Sequence, residues 1–442
     1  MKVLHVIPAV AARYGGPSEA IRGMCRALAR QGQKVTIFTT NNDGPVDLNV
    51  PLDHPVVVDG VEIRYFQVQR PRSYVFSLPL AKALKEEVRR FDLVHIHSIF
   101  NWPIIPAAFF CRKFGVPYIV RPCGILDPVP LKKAYESGWI PIGMDLKQRY
   151  LRRKYFKGRY LKSIYQRRHY LKKTLYLIVV EKRNLEGAAA IHFTSKGETT
   201  ATEPYGIGAP GFIVPLGVDL NEIPDESGLE SFKTKYPNLD GKKIVLFLSR
   251  LDAKKGLDLL IPALGKLVSN HYNLVFVLAG SGPARYEGEV RKLLHGYGMT
   301  EHTIMTGFVE GRTKWSIFRE ADIFVLPSYH ENFGVAAVEA MSVGIPVVIS
   351  DQVGIHEEVS KAGAGLVVSQ NSEELTQAIA KLLDSAVLRE RMGMEARQLV
   401  ERKFSWEQGA EILSCVYEDV LRKSRRSGAW VRRAEEIASS VL

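Results

Sequence analysis

Two carboxylates, Glu331 and Glu339, stand eight positions apart in the segment ENFGVAAVEAMSVGIPVV, residues 331–348. A Phe-Gly turn follows the first, and an Ala-rich run carries the second into Gly344-Ile345-Pro346 and an apolar stretch. The pattern suits a loop entering a helix that leads to a buried β-strand. A helix start presents unpaired N–H groups and a partial positive charge, which attract phosphate. Gly334 lets the backbone approach such a ligand closely. Glu339, inside the helix, can accept hydrogen bonds from ribose hydroxyls, and Glu331 can reach a second sugar. In outline this is a nucleotide-sugar site. The same spacing also suits a capped helix with two solvated glutamates.

Partners for a diphosphate are present elsewhere. Arg250 follows an apolar run, and Lys255 comes five residues later in LDAKKG. Two fixed cations can neutralise a diphosphate leaving group, although a solvated Lys pair at a helix start reads the same way. Gly15-Gly16 and Ala279-Gly280-Ser281-Gly282-Pro283 are glycine turns that each follow a strand-like run. Either fits close backbone approach to a phosphate, and either fits a plain turn. His95 and His97 alternate in DLVHIH, so they share one face of a strand. With no third ligand evident, no metal site is expected. One of the two reads as a core histidine, and His97, nearer the strand's carboxyl end, as the residue facing a ligand. The chain has no Asp-x-Asp triplet, the usual means of holding a nucleotide diphosphate through a divalent ion. Diphosphate neutralisation without a metal is therefore expected, and no cofactor.

These groups need a scaffold of strands and helices. The 442 residues, 46% of them hydrophobic, suffice for two domains with separate cores. The four cysteines form no CxxC pair, so neither a zinc site nor a disulfide framework is suggested, and a reducing cytoplasm is the expected setting. The opening MKVLHVIPAV reads as a strand rather than a secretory signal, and no apolar run reaches the length of a membrane span. Val3–Val10, a turn at Gly15-Gly16-Pro17 with Ser18 as N-cap, a helix over 20–30 and a strand at Val35–Thr40 make a βαβ unit. Strands are expected at Val61–Val68, Leu93–His97 and Tyr118–Arg121, with a helix over Pro103–Phe114. A second set is expected at Ile244–Ser249, Leu274–Ala279, Thr303–Thr306, Ile323–Pro327 and Pro346–Ser350. The predicted fold is α/β: two doubly wound, Rossmann-like domains with a ligand cleft at the strands' carboxyl ends. Residues 1–214 form the first domain and 215–405 the second. The helices of 406–442 are expected to cross back to the first.

Together these motifs resemble glycosyltransferase family 4, whose members have the GT-B fold. The resemblance runs from YGGPSEAIRGMCRALARQGQKVTIFTT through PLGVD, LSRLDAKKG, LAGSGP and TGFV to PSYHENFGVAAVEAMSVGIPVVISD. The last segment is similar to the family's E-x7-E signature. The SYHENFG variant and RPCGILDP (Arg121–Pro128) are similar to bacterial members that build surface or exported polysaccharides. The resemblance implies a retaining transferase that moves a sugar from a UDP- or GDP-sugar to a saccharide or lipid-linked acceptor. Arg250 and Lys255 would bind the diphosphate and Glu339 the ribose. Glu331 would contact the sugar, with backbone N–H groups at Phe333-Gly334-Val335. Gly15 and Gly16 would close over the phosphates, Gly280 would line the nucleotide, and Val309 would lie by the base. His97 matches the histidine facing the reacting centre. Same-face attack, with the leaving phosphate helping to deprotonate the acceptor, needs no side-chain nucleophile.

One segment departs from the family pattern. Residues 131–173 hold fourteen Lys/Arg and two acids, so twelve of the thirteen excess positive charges lie there. Tyr150, Tyr155, Tyr160, Tyr165 and Tyr170 mark a repeat of about ten residues within an insertion at 129–175. A basic helix with aromatic and Leu residues suits an anionic membrane surface, here the inner face of the plasma membrane. Arg152, Arg153, Lys154, Tyr155, Arg159, Lys162, Arg167, Arg168, Lys172 and Lys173 would make the contact. A solvated helix pair packed on the first domain, or nucleic-acid binding with stacking tyrosines, fits the composition too, but nothing else in the chain points to nucleic acid. Rival functions are a nucleotide-sugar epimerase of the same architecture and a non-catalytic scaffold. An NAD-dependent dehydrogenase is disfavoured because the first turn lacks GxGxxG.

Overall fold

The computed structural model describes residues 1–124, 176–225, 231–236, 239 and 241–424. The proposed membrane-contact residues, Arg152 to Lys173, and the tyrosine repeat lie outside the described residues. So does the chain beyond Ser424. The chain divides into two compact units, with one boundary between Ile213 and Val214 and another between Leu413 and Ser414. Residues 414–424 group with the first unit, and Arg22–Ala27 group with the second.

The first unit contains β1 (Lys2–Ala9), β2 (Lys34–Thr40), β3 (Asn42–Asp43), β4 (Val46–Asp47), β5 (Val56–Val58), β6 (Val61–Phe66), β7 (Leu93–His97), β8 (Tyr118–Arg121), β9 (Ala190–Phe193) and β10 (Gly211–Ile213). Eight form one sheet in the order β10-β9-β8-β7-β1-β2-β6-β5. Only β5 runs antiparallel to its neighbour. The central strands are largely buried because both faces are covered, as parallel sheets require. Every residue of β7 is buried. A core of Leu4, Val6, Phe38, Val94, Ile96 and Val120 packs with Leu80, Leu84, Ile104 and Ala107 of the covering helices.

Helix α1 (Gly16–Arg30) follows β1. Ser18 is not its cap, contrary to the sequence expectation. Gly15, at φ +62°, turns the chain, and its carbonyl accepts the N–H groups of Ser18 (2.9 Å) and Glu19 (3.2 Å). The Ser18 hydroxyl lies inside the first turn and donates to the Ala11 carbonyl at 2.9 Å.

The second unit carries β11 (Lys243–Leu248), β12 (Leu274–Ala279), β13 (Thr303–Gly307), β14 (Ile323–Leu326), β15 (Val347–Ser350) and β16 (Gly365–Val368), all parallel, in the order β13-β12-β11-β14-β15-β16. Helix α2 (Leu257–Ser269) starts from Gly256, at φ +74°. A Cβ on Gly256 would lie 2.1 Å from the Pro327 carbonyl oxygen. Only glycine therefore lets the Lys254-Lys255 loop lie against the end of β14. Helix α3 (Val335–Ser342) begins after Gly334, at φ +105°, and leads into β15. Among the described residues no helix is long and apolar enough to cross a membrane.

Candidate active site

In the second unit the two glutamates are each held by a lysine. Asp252 caps the short turn Ala253–Lys255 by accepting the Lys254 N–H at 3.0 Å. That turn carries the ammonium of buried Lys255 onto the Glu331 carboxylate. Glu331 is fixed through its backbone as well: its N–H donates to the Gln352 carbonyl at 3.0 Å, and its carbonyl accepts from Gly354 at 2.9 Å. Glu339, on α3, accepts from Lys314 at 2.9 Å, and both side chains are largely covered. Sequence reading singled out Lys255 and Glu331 but assigned them to different parts of a ligand. It missed Lys314, which has no motif around it.

The remaining residues of this unit sit on loops at the strands' carboxyl ends. Arg250 follows β11 and is exposed. The next residue, Leu251, donates to the Ser281 carbonyl at 2.9 Å, and Gly280 donates to the Gly307 carbonyl at 2.7 Å. Three loops are thereby pinned together, and the third continues into half-buried Val309. Phe333 is buried and packs edge-on against Phe404, with ring centroids 5.6 Å apart. That contact fixes the Phe333-Gly334-Val335 backbone. No side chain caps α3, so its first N–H groups stay available to an anion.

The first unit holds a buried polar stripe. In register, His5 of β1 pairs with His95 of β7, and His97 pairs with Arg121 of β8. Paired and alternate residues share a sheet face, so all four side chains leave the same side. His5 Nδ1 lies 2.9 Å from His97 Nε2, His95 Nδ1 lies 2.7 Å from the Tyr417 hydroxyl, and His192 Nδ1 lies 3.3 Å from His95 Nε2. Tyr417 belongs to α4 (Trp406–Ser424). The sequence places His95 and His97 on one strand face without a third ligand nearby. The structure adds His5, with ligating nitrogens of all three within 4.8 Å of one another. The periodicity of β1 could have placed His5 on that face. Burial, and then the Arg121 charge, push His5 down to about 3, and burial first holds His95 and His97 well below the usual histidine range. A fixed guanidinium beside the rings opposes a divalent cation. The cluster reads as neutral, hydrogen-bonded imidazoles.

Strain collects where β7 and β8 end. Ser98, Phe100 and Cys123 are non-glycine residues with φ of +71°, +59° and +58°, a backbone region that tends to concentrate at functional sites. The Phe100 N–H donates to Glu181 at 2.6 Å. Glu181 is fully buried, and burial pushes its carboxyl up from 4.5 to about 7 despite that bond. An acid with a raised folded pKa stabilises the fold below its unfolded value and loses that contribution as pH rises through the folded one. The Glu181→Gln variant should therefore be more stable than wild type at pH 8, by about 3 kcal/mol at roughly 1.4 kcal/mol per pH unit. The gain should vanish near pH 4. Urea titrations at both pH values check this, and an equal gain at both would contradict it.

Residues 230–399 match the family Glycosyl transferases group 1, and residues 15–217 match a Glycosyl transferase 4-like domain. The chain is a GT-B glycosyltransferase of the family 4 type. An uncharacterized glycosyltransferase of Methanocaldococcus jannaschii is 25% identical to it over 418 residues, covering 91% of this chain and 94% of that one. The alpha-D-kanosaminyltransferase of Streptomyces kanamyceticus is 32% identical over 183 residues, covering 41% of this chain and 47% of that one, so the match spans about half that relative's length. Among solved structures, Anabaena HepE in complex with UDP and glucose shares the fold, with TM-score 0.68 and 17% identity over 95% of this chain and 99% of that one. This glycosyltransferase takes its sugar from a nucleotide-sugar donor.

Proposed function

We propose that the enzyme transfers a sugar with retention of anomeric configuration and without a metal ion, from a UDP- or GDP-sugar to a saccharide or lipid-linked acceptor. The observation carrying this reading is the part-buried Lys255–Glu331 pair beside the uncapped start of α3. Departure of the nucleoside diphosphate builds negative charge on the β-phosphate. Lys255, Arg250 and the α3 N–H groups supply fixed positive charge for it, which stabilises the transition state above the ground state. Glu339 takes the ribose and Glu331 the donor sugar. As the bond from C1 to the phosphate oxygen breaks, the acceptor hydroxyl forms its bond to C1 on the same face. Its proton passes to the departing phosphate, so no side-chain nucleophile is needed. His97 belongs to the acceptor half of the chemistry. The UDP complex of HepE supports UDP as the first donor base to try.

Four free thiols fit a reducing cytoplasm. The charge of residues 131–173 supports action on the inner face of an anionic membrane, in surface or exported polysaccharide synthesis.

Thermal unfolding with UDP, GDP and ADP tests the donor site. One nucleotide should raise the midpoint, and the matching nucleotide sugars should then be hydrolysed slowly in the absence of acceptor. No shift with any of the three would overturn the reading.

A further inference from the structure

Arg121 is a buried cation that no carboxylate of the described residues neutralises. Its side chain is 3% exposed. Its Nε finds no hydrogen-bond partner, and no described carboxylate lies within 4.0 Å of the guanidinium. Arginine cannot shed its charge by deprotonation, and an isolated buried charge is strongly unfavourable. The lysines of the second unit differ, since Lys255 and Lys314 each already hold a carboxylate.

The neighbours of Arg121 are unsatisfied as well. His97, its partner in the β7–β8 register, has a buried Nδ1 without a partner. Asn101, four residues beyond His97, has a buried Oδ1 without one. Asn101 is held in place by its amide nitrogen, which donates to the Ser98 hydroxyl at 3.2 Å and the Ile99 carbonyl at 3.1 Å. Its free oxygen, the His97 nitrogen and the guanidinium belong to the ends of two adjacent strands. The strained residues Ser98, Phe100 and Cys123 frame them. Guanidinium forks match the paired oxygens of phosphate and carboxylate, while an amide oxygen and an imidazole suit sugar hydroxyls.

We propose that Arg121 forms the floor of an anion subsite in the first unit, which takes the phosphate or carboxylate of an acidic sugar acceptor. The inference rests on the glycosyltransferase reading above and names the chemical class of its acceptor. The donor diphosphate already has its cations in the second unit, so the anion at Arg121 comes with the acceptor.

The test uses the full chain with UDP at saturation, so that the second unit is occupied. Calorimetric titrations compare glucose, glucuronate and glucose 6-phosphate as probes, and sedimentation measures binding to vesicles containing phosphatidate. Wild type should bind an acidic probe about tenfold tighter than glucose, and Arg121→Gln should remove that preference. If the preference appears only with vesicles and is lost in Arg121→Gln, the anion belongs to a lipid headgroup. If it appears with the soluble acids, the anion belongs to the sugar. No preference in wild type with any probe, or an undiminished one in Arg121→Gln, overturns the proposal. A second measurement needs no variant. The Cys123 thiol donates to the Arg121 carbonyl at 3.5 Å and is partly exposed. The acidic probe that binds should slow alkylation of Cys123, read by peptide mass spectrometry, and unchanged alkylation counts against the subsite. Failure of wild type to bind UDP would undo the donor reading itself. UDP binding without an acid preference would undo only this inference.

Discussion

Replacing Lys255 by alanine is expected to lower kcat for sugar transfer by about 10²–10³-fold, the loss typical of removing one preorganised charge-stabilising group. The residue is 6% exposed and its ammonium is held on the Glu331 carboxylate, so it enters the reaction already placed. Its charge matters most when the diphosphate leaves, so kcat should fall further than the donor KM rises. Truncation also leaves Glu331, 22% exposed, without its cation. The Lys255→Ala/Glu331→Ala double variant separates the two effects. If Glu331 acts only by holding Lys255, the double variant will match Lys255→Ala, and if it also binds the sugar, it will be slower. Initial rates with the donor found by thermal unfolding decide this. A kcat for Lys255→Ala within about threefold of wild type would remove Lys255 from the mechanism.

Gly280→Ala should damage both stability and donor binding. A Cβ there would lie 1.9 Å from the Ser249 carbonyl oxygen, and the backbone sits at φ +135°. Strain of this kind costs on the order of 1–3 kcal/mol before any displacement is counted. The obstacle is backbone rather than a flexible side-chain tip, so the Ser249-Arg250 loop must move. Calorimetry should show the second unit's midpoint fall by about 5–10 °C, given roughly 2–4 °C per kcal/mol for a unit of this size. The nucleotide-induced rise should shrink with it, because Arg250 is carried away. Gly241→Ala is the control. Its φ of +69° is unfavourable, but nothing lies within 4 Å of the added Cβ, so it should lose stability and keep the nucleotide response. Equal behaviour of the two variants would mean that the Gly280 loop does not position Arg250.

The elements that sequence located best are those buried on both faces. Leu93–His97, Tyr118–Arg121 and Leu274–Ala279 fall where their mainly apolar runs place them, since a central parallel strand is buried on both faces and stops at a turn. Ala190–Phe193 and Gly211–Ile213 are too short to show a period, and Gly365–Val368 opens on a glycine. Val56–Val58 is an edge strand with Val57 and Val58 exposed, so its apolar letters do not mark a core. The site divides in the same way. Residue types and loop positions were legible at Arg250, Lys255, Glu331 and Glu339. The pairings were not: Lys255 meets Glu331 across 76 residues, and His5 meets His97 across 92. Such contacts follow from strand order, which the single chain does not spell out. Glu181 lacked a signal for another reason, because its character comes from burial rather than from the letters beside it, and Arg121 stood in the RPCGILDP motif without any sign that it would be buried.

The lysine–glutamate pair has a bearing on how the enzyme meets its medium. An ordinary phosphate site is cloaked by small ions from solution, and binding sets them free, so added salt weakens it. Here the cloak on Lys255 is a carboxylate tethered to the same fold. If Lys255 takes the diphosphate as proposed, the incoming donor displaces a group that cannot diffuse away or be diluted. Donor capture is thereby partly decoupled from ionic strength. On that reading the same tether would drive the reverse step, with Glu331 reclaiming the ammonium as the spent nucleotide departs, so that turnover leaves the site neutralised for the next donor.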